Sequence, residues 1–370
     1  MERQDSGKHR ILMIVPQADV QGGIAAVVNG YHGSRLEQDY DLRYVESYRD
    51  GSKLQKLIKA LQCYRELRGV LKNDPPELVH VNSSFGPSFF RKLPIIHMCR
   101  KKGIPVVNHI HGSEFDRFYT DAGALKKSLV RRSYGECTAF IVLNETAAGN
   151  IARIVPAERI TTVMNYSVVH PETADPALQR ERSRKKQVLI LGKIDRMKGS
   201  YDLPEIAGEV RKKIPDVKFM AAGYGEIEAV KSCFDREMLE RTVLFPGWIR
   251  GEEKDRALRE SALFFLPSYS EGMPMSVLDA MGYALPVVST NVGGIPKLVQ
   301  DGRNGKLCTP GDRRAMADAI LFYLTDEAQR EQAGRESLSI AETFGLEEHI
   351  RKIESVWEQV LRETGKTGKE

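Results

Sequence analysis

The stretch ALFFLPSYSEGMPMSVLDAMGYALPVVST, residues 262–290, holds two short apolar runs separated by a loop and a helix-length segment. The runs ALFFLP (262–267) and PVVST (286–290) have the length and composition of buried strands. A strand, a helix and a second strand in succession are typical of the βαβ unit, whose two strands are parallel. The stretch therefore predicts an α/β fold built on a parallel sheet.

The same alternation extends to both sides of this stretch. It is interrupted by HPETADPALQRERSRKK (170–186), a polar segment with two prolines and no apolar periodicity. We interpret residues 169–186 as a linker between two doubly wound α/β domains, 1–168 and 187–345. The other predicted strands are residues 11–15, 78–82, 105–110 and 139–144 in the first domain, and 187–193, 217–223 and 242–247 in the second.

Apolar residues at helical spacing predict two long helices. One covers residues 346–362, and we expect the segment 346–370 to pack back on the first domain. The other covers residues 53–72 and is expected to have one buried face and an outer face rich in lysine and arginine. Its apolar positions are Leu54, Leu57, Ile58, Leu61, Tyr64, Leu67 and Leu71.

The composition, 41% hydrophobic and 28% charged over 370 residues, is that of a globular protein of two domains. No apolar run approaches the roughly 20 residues of a membrane span, and the polar N-terminus does not resemble a secretory signal. We therefore expect a cytoplasmic protein. The five cysteines are scattered without a CxxC pair, so they are interpreted as reduced and not metal-binding.

Positive charge is concentrated in the first half of the chain. Residues 1–168 carry 24 Lys and Arg against 17 Asp and Glu, whereas the remainder carries 31 against 33. Clustered positive charge attracts nucleic acid, anionic lipid and phosphorylated molecules alike. Charge alone does not choose among these partners.

The loop after the run 262–267 carries the first candidate site. Glu271 lies in this loop and Asp279 lies eight positions later, on the helix that begins near Met275. Gly272 lets a ligand approach the backbone, and the free N–H groups of a helix start attract an electronegative ligand. A carboxylate in this place is suited to binding sugar hydroxyls.

A second candidate site follows the run 187–193. Lys193 ends this strand and Lys198-Gly199 precede the next helix, so both ammonium groups are expected at the carboxyl edge of the sheet. The alternative is a pair of surface lysines that flank a turn. In a ligand site, two cations at this edge would neutralise a diphosphate.

Two further candidates lie in the first domain. Gly22-Gly23 follow the first strand and open a helix, which is a geometry for phosphate approach. The pattern is not GxGxxG and no acidic residue ends the next strand, which disfavours a nicotinamide dehydrogenase. His111 follows the strand 105–110, where a packed structural histidine is the alternative.

These motifs resemble glycosyltransferase family 4, whose donor site carries Glu-x7-Glu in the same strand, loop and helix setting. Ala280-Met281, Pro286-Val287-Val288 and Gly293-Gly294-Ile295-Pro296 continue the resemblance, which is dense from about residue 187 to 310. Asp279 stands in place of the second Glu, and Lys193 in place of the usual Arg. The resemblance implies the GT-B fold, two Rossmann-like doubly wound domains facing across a cleft.

The resemblance also implies roles for individual residues. Glu271, His111, Lys198 and Lys193 would be catalytic, with Glu271 and His111 on the donor sugar and the two lysines on the diphosphate. Asp279 takes the position that binds the ribose, and Trp248 and Ile249 that of the base. The implied donor-binding residues are Gly22, Gly23, Gly192, Gly223, Trp248, Ile249, Gly272, Met273, Pro274, Met275 and Asp279.

We interpret the chain as a retaining glycosyltransferase that moves a hexose-type sugar from a nucleotide-diphosphate sugar, with UDP favoured, to a carbohydrate or lipid-linked hydroxyl acceptor. Cell-surface polysaccharide or glycolipid synthesis is the expected context. No metal, no other cofactor and no nucleic acid are expected. Two alternatives remain open, a sugar-nucleotide 2-epimerase of the same fold and a nucleotide-sugar-binding protein of weak activity.

An anionic membrane surface is a further expected partner, with the protein peripheral at the inner face of the cell membrane. Basic residues cluster at Arg91-Lys92, 100–102 and 126–132, beside apolar residues such as Phe89, Phe90 and Ile96. Such a mixture is suited to an interfacial surface. Ordinary solvated helix faces are the alternative.

Overall fold

The computed structural model describes residues 7–365, which form two α/β units. The first unit comprises residues 7–165 and 346–365, and the second comprises residues 166–345. The strands are β1 Arg10–Pro16, β2 Asp41–Tyr48, β3 Leu78–Ser83, β4 Val106–Ile110, β5 Ala139–Val142, β6 Ile160–Thr162, β7 Gln187–Ile194, β8 Lys218–Gly225, β9 Val243–Gly247, β10 Leu263–Leu266, β11 Val287–Thr290 and β12 Gly305–Cys308.

Helices connect these strands in both units. They are α1 Gly23–Asn29, α2 Arg35–Asp39, α3 Lys53–Asn73, α4 Pro87–Lys101, α5 Ala124–Gly135, α6 Glu145–Ala152, α7 Pro176–Lys185, α8 Leu203–Lys213, α9 Ile227–Lys231, α10 Arg236–Arg241, α11 Glu252–Glu260, α12 Met275–Gly282, α13 Ile295–Leu298, α14 Arg313–Thr325, α15 Glu327–Glu342 and α16 Leu346–Glu363. Within residues 7–365, no helix has both the length and the apolar character to cross a membrane.

Each unit contains one six-stranded sheet, and the paired strands are parallel. The strand order is β2-β1-β3-β4-β5-β6 in the first unit and β12-β11-β10-β7-β8-β9 in the second. In each sheet the strand order reverses once: between β1 and β3 in the first unit, and between β7 and β10 in the second. A doubly wound sheet opens a crevice at such a reversal, outside the carboxyl ends of the strands.

The central strands β3, β4 and β10 are buried at every position, because helices cover both faces of a doubly wound sheet. The predicted doubly wound α/β class is therefore confirmed for each unit. The predicted C-terminal helix is confirmed as α16, with Ile350, Ile353 and Trp357 buried. Trp357 Nε1 donates a hydrogen bond to His80 Nδ1 in β3, 2.9 Å away.

The predicted linker 169–186 is wrong, because most of this segment is folded into the second unit. Residues 171–174 form a 3-10 turn, and α7 follows after its N-cap Asp175. Arg182 on α7 is fully buried and donates to the backbone carbonyls of Arg259, Leu258, Tyr283 and Ala284. Polar side chains thus anchor this helix in place of an apolar stripe.

The predicted single apolar face of α3 is also wrong. The helix buries Ala60, Cys63, Leu67, Val70 and Leu71. The other four apolar residues of its first half, Leu54, Leu57, Ile58 and Leu61, are exposed on a different side. The sequence pattern therefore merged two apolar faces into one.

The basic and apolar mixture predicted on α4 is divided between the interior and the surface. Phe89, Lys92 and Ile96 are buried, and Lys92 Nζ donates to Ser47 Oγ. Burial lowers the pKa of Lys92 to about 7. Of the predicted interfacial residues on this helix, Phe90, Arg100 and Lys101 are exposed.

Candidate active site

The candidate site of the second unit lies at the β7/β10 reversal, where two loops follow neighbouring strands. Residues 195–199 follow β7 and residues 267–274 follow β10. Tyr269 N donates to Met197 O at 2.8 Å, which ties the two loops together. The predicted residues Lys198 and Glu271 are thereby brought to the same edge of the sheet.

Glu271 and Lys198 form the central ion pair of this site. Lys198 Nζ lies 2.6 Å from Glu271 Oε1, and Ser268 Oγ donates to the same oxygen at 2.7 Å. The Glu271 side chain is 6% exposed and the Lys198 side chain 28%. Within residues 7–365, Glu271 Oε2 has no hydrogen-bond partner, so this oxygen is left to accept from a ligand.

Lys193 and the turn that carries Lys198 are both held by Asp195. Lys193 Nζ lies 2.7 Å from Asp195 Oδ2, while Lys198 N donates to Asp195 Oδ1 at 2.9 Å. The Asp195 side chain is nearly buried, whereas the Lys193 ammonium remains half exposed. Sequence reasoning missed Asp195, although its position between the two lysines pointed to this role.

Glycines brace the Glu271 loop from two sides. Gly199 has φ +70°, and a Cβ added there would lie 2.1 Å from Pro267 O. Gly293 has φ +55°, and its added Cβ would lie 1.8 Å from Glu271 O. Both positions combine a left-handed backbone with contact distances that exclude any side chain. The backbone around Glu271 is therefore fixed by its neighbours.

Asp279 lies one turn into α12, the helix that follows Glu271. Its Oδ2 is 2.5 Å from Lys254 Nζ on α11, a pairing across 25 residues that sequence reasoning missed. The first turn of α12, which begins at Met275, has no side-chain N-cap. Its N–H groups and helix dipole favour an anion at this end.

The remaining donor-site candidates border this edge. Gly192 and Gly223 face each other on β7 and β8, and a Cβ on Gly223 would lie 1.7 Å from Gly192 O. Trp248 follows β9 with its ring exposed, and it packs edge-on against Tyr224 with centroids 5.4 Å apart. Ile249, Met273 and Pro274 are buried, while Gly272 O accepts from Gly294 N at 2.8 Å.

In the first unit, the candidate residues follow β1 and β4. Gly22 is the N-cap of α1 and Gly23 its first residue, and Asp50 Oδ2 accepts from Gln21 N at 2.8 Å. His111 directly follows β4, with its backbone N bonded to Ser83 O at 2.9 Å. The predicted residues thus lie at the carboxyl edge of the first sheet.

The orientation of His111 is set by Asn82, which sequence reasoning missed. His111 Nε2 lies 3.0 Å from Asn82 Oδ1, and an amide oxygen only accepts. Burial, together with the nearby His80 and His349, lowers the pKa of His111 to about 3. The ring is therefore neutral at physiological pH, with its proton on Nε2 and an acceptor lone pair on Nδ1.

No group of three or more His, Cys, Asp or Glu side chains suited to a metal ion occurs in the described residues. The charged groups of the second unit's site are instead three lysine and carboxylate pairs. They are Lys193–Asp195, Lys198–Glu271 and Lys254–Asp279.

Comparison with known proteins gives matches in both units. Residues 23–165 match the family model described as Glycosyltransferase Family 4, and residues 185–326 match the model described as Glycosyl transferases group 1. N-acetyl-alpha-D-glucosaminyl L-malate synthase of Bacillus anthracis is 26% identical over 274 residues, which cover 72% of this chain and 70% of that protein.

Two further relatives extend the comparison. The amylovoran biosynthesis glycosyltransferase of Erwinia amylovora is 30% identical over 185 residues, covering 48% of this chain and 45% of its own. The crystal structure of Anabaena HepE in complex with UDP superposes with a TM-score of 0.70 at 16% identity, covering 95% of this chain and all of the other. That likeness confirms the predicted GT-B fold.

Proposed function

This chain belongs to the family 4 glycosyltransferases, and we propose that it moves a hexose-type sugar from a UDP-sugar to a hydroxyl of a carbohydrate or lipid-linked acceptor. The observation that carries the proposal is the buried Glu271 carboxylate paired with Lys198, beside the Lys193–Asp195 pair. The proposal assigns one carboxylate oxygen of Glu271 to a sugar hydroxyl and the ammonium groups of Lys193 and Lys198 to the diphosphate.

In the proposed reaction the bond between the sugar's anomeric carbon and the diphosphate oxygen breaks. The acceptor oxygen bonds to the same face of that carbon, so the configuration is retained, and the leaving phosphate takes the acceptor's proton. Lys198, Lys193 and the N-terminus of α12 stabilise the charge that develops on the diphosphate. Before the donor binds, Lys198 is paired with Glu271 and Lys193 with Asp195.

Donor binding exchanges the partners of the lysines. The Lys198 ammonium turns from Glu271 to a phosphate oxygen, because a diphosphate carries more charge than a carboxylate. Glu271 then accepts hydrogen bonds from the sugar through both oxygens, while Ser268 continues to orient it. In the first unit, taken by itself, the Nδ1 atom of His111 is available to accept a hydrogen bond from a substrate hydroxyl.

The test of the proposal is product analysis with defined substrates. UDP-sugars are incubated with and without lipid-linked and carbohydrate acceptors, and UDP release and the anomeric configuration of the product are measured. Acceptor-dependent release of UDP with retention supports the proposal. Conversion of the donor sugar without any acceptor would contradict the proposal and indicate an epimerase. Binding of the UDP-sugar without turnover would indicate a binding protein.

We expect UDP-sugars to raise the melting temperature more than GDP- or ADP-sugars at equal concentration. A ligand that binds only the folded state stabilises it by about 2.7 kcal/mol at a hundredfold excess over its Kd. Differential scanning fluorimetry, with free glucose as a ligand control, gives the ranking. A larger shift with GDP- or ADP-sugars would contradict the choice of base.

Asp279→Glu is expected to keep donor affinity within about threefold or to improve it. The longer carboxylate reaches further toward the ribose, and the flexible, partly exposed Lys254 can follow it. Asp279→Ala removes one charged hydrogen-bond partner and should weaken UDP binding about tenfold. Calorimetry of UDP binding measures both variants, with Asp216→Asn as a control, since Asp216 pairs with Lys186 elsewhere in the unit.

A loss of UDP affinity in Asp279→Glu as large as that in Asp279→Ala would show that the site accommodates only the shorter aspartate side chain. An unchanged affinity in Asp279→Ala would remove Asp279 from the ribose site.

A further inference from the structure

The exposed large hydrophobic side chains of the first unit are confined to three helices. In the described part of that unit, they lie on α3, α4 and α5 and on no other element. The most exposed are Leu125 at 90% and Leu54 at 65%. The full set, which we call the apolar patch, is Leu54, Leu57, Ile58, Leu61, Phe90, Leu125 and Leu129.

The topology brings these helices together. They connect β2 to β3, β3 to β4 and β4 to β5, progressing in one direction along the sheet. Right-handed crossovers in one direction place all three helices on the same face. Contacts join neighbours, since Tyr64 Oη of α3 donates to Arg91 O of α4 at 2.9 Å, and the Phe89 ring packs against Tyr134 of α5 with centroids 5.7 Å apart.

The apolar patch also lies at one end of this helical layer. Each helix begins at the carboxyl edge of the sheet, and every member of the patch belongs to the first half of its helix. On α3, the patch residues have the spacing i, i+3, i+4, i+7 and share one side. That side continues toward the helix end as Arg65, Arg68 and Lys72, all of them exposed.

The charge of the three helices is almost entirely positive. Together α3, α4 and α5 contain 14 Lys and Arg and a single acidic residue, Glu66. Lys53 and Arg132 are among the exposed cations that border the apolar patch, and Lys127 is partly exposed beside it. A second copy of the chain would bring the same positive charge to this face, whereas an anionic surface would complement it.

We propose that the apolar patch and its basic border dock the first unit on an anionic lipid membrane. The leucines enter the interface between headgroups and acyl chains, and the cations pair with lipid phosphates. Docking there would place the proposed transferase beside a lipid-linked acceptor. Vesicle binding does not require sugar transfer, so the experiments that test this inference and the proposed function are independent.

The test is a vesicle flotation assay with the full chain. We expect binding to phosphatidylcholine vesicles that contain 30% phosphatidylglycerol, weak binding to pure phosphatidylcholine, and loss of binding as salt rises from about 0.05 to 0.5 M. Leu57→Glu combined with Leu61→Glu should lower binding at least tenfold. UDP affinity and melting temperature should stay unchanged, because both side chains are exposed.

Leu244→Glu is the matched control, since Leu244 is equally exposed on β9 of the second unit. It should bind vesicles as the parent does. Equal binding to neutral and anionic vesicles, or full binding by the Leu57→Glu, Leu61→Glu variant, would overturn the proposal. A third result would also overturn it. If the parent sediments as a dimer, binds no vesicles, and becomes a monomer in the Leu57→Glu, Leu61→Glu variant, the apolar patch is a self-association surface.

Discussion

Glu271→Gln is expected to lower the rate of sugar transfer about 10³-fold while leaving UDP affinity intact or raised. The carboxylate is nearly buried and accepts from Lys198 and Ser268 through one oxygen. Glutamine keeps the shape but removes the charge that we assign to the sugar hydroxyls. It also releases Lys198 from its ion pair, so the ammonium becomes more available to a diphosphate.

The measurements are kcat with a UDP-sugar and acceptor, and the Kd of UDP by calorimetry. Asp216→Asn is the control, because it neutralises a carboxylate of the same unit that pairs with Lys186 at 2.9 Å, away from the site. A fall in UDP affinity as large as the fall in rate would show that Glu271 holds the nucleotide and not the sugar.

Lys198→Met is expected to weaken both UDP and the transition state, with a loss of at least tenfold in UDP affinity and about 10³-fold in kcat/KM. The ammonium lies at the β7/β10 reversal and is the only cation paired with Glu271 in the described residues. Its removal would take away the charge that we assign to stabilising the leaving diphosphate. It also leaves the nearly buried Glu271 carboxylate without its cation.

Lys198→Arg should recover part of the affinity, because charge is kept while the geometry changes. Lys212→Met, on an exposed pair with Glu209 of α8, controls for loss of a surface lysine. Unchanged UDP affinity in Lys198→Met would remove this residue from the diphosphate site.

The central strands were predictable because strands buried on both faces appear in sequence as continuous apolar runs. The strands that the pattern missed, β2, β6 and β12, are all at sheet edges. Their positions are mixed in burial, as in β2, where only Val45 and Ser47 are buried. Because these strands are partly exposed, they contain polar residues, and no continuous apolar run marks them in the sequence.

The segment around α7 was misinterpreted for a different reason. Its stability depends on Arg182, whose guanidinium satisfies four backbone carbonyls in the interior. Polar residues buried by hydrogen bonding have the same appearance in sequence as solvated ones. The pattern therefore favoured a linker where the chain forms a helix.

The candidate site was predictable one loop at a time. Glu271, Lys193 and Lys198 could be placed because each follows a recognisable strand. Their partners could not, since Lys198 and Glu271 are 73 residues apart and Lys254 pairs with Asp279 across a separate helix. Such pairings depend on strand order, which the alternation of elements leaves undetermined.

The glycine contacts around Glu271 have a consequence for chimeric enzymes. The turn at Gly199 abuts the backbone of Pro267, and the turn at Gly293 abuts that of Glu271. Three loops from distant parts of the chain therefore fit one another backbone to backbone. We expect a loop transplanted alone to fold correctly only where it keeps these close approaches, so grafts intended to alter sugar preference should exchange all three loops as a set.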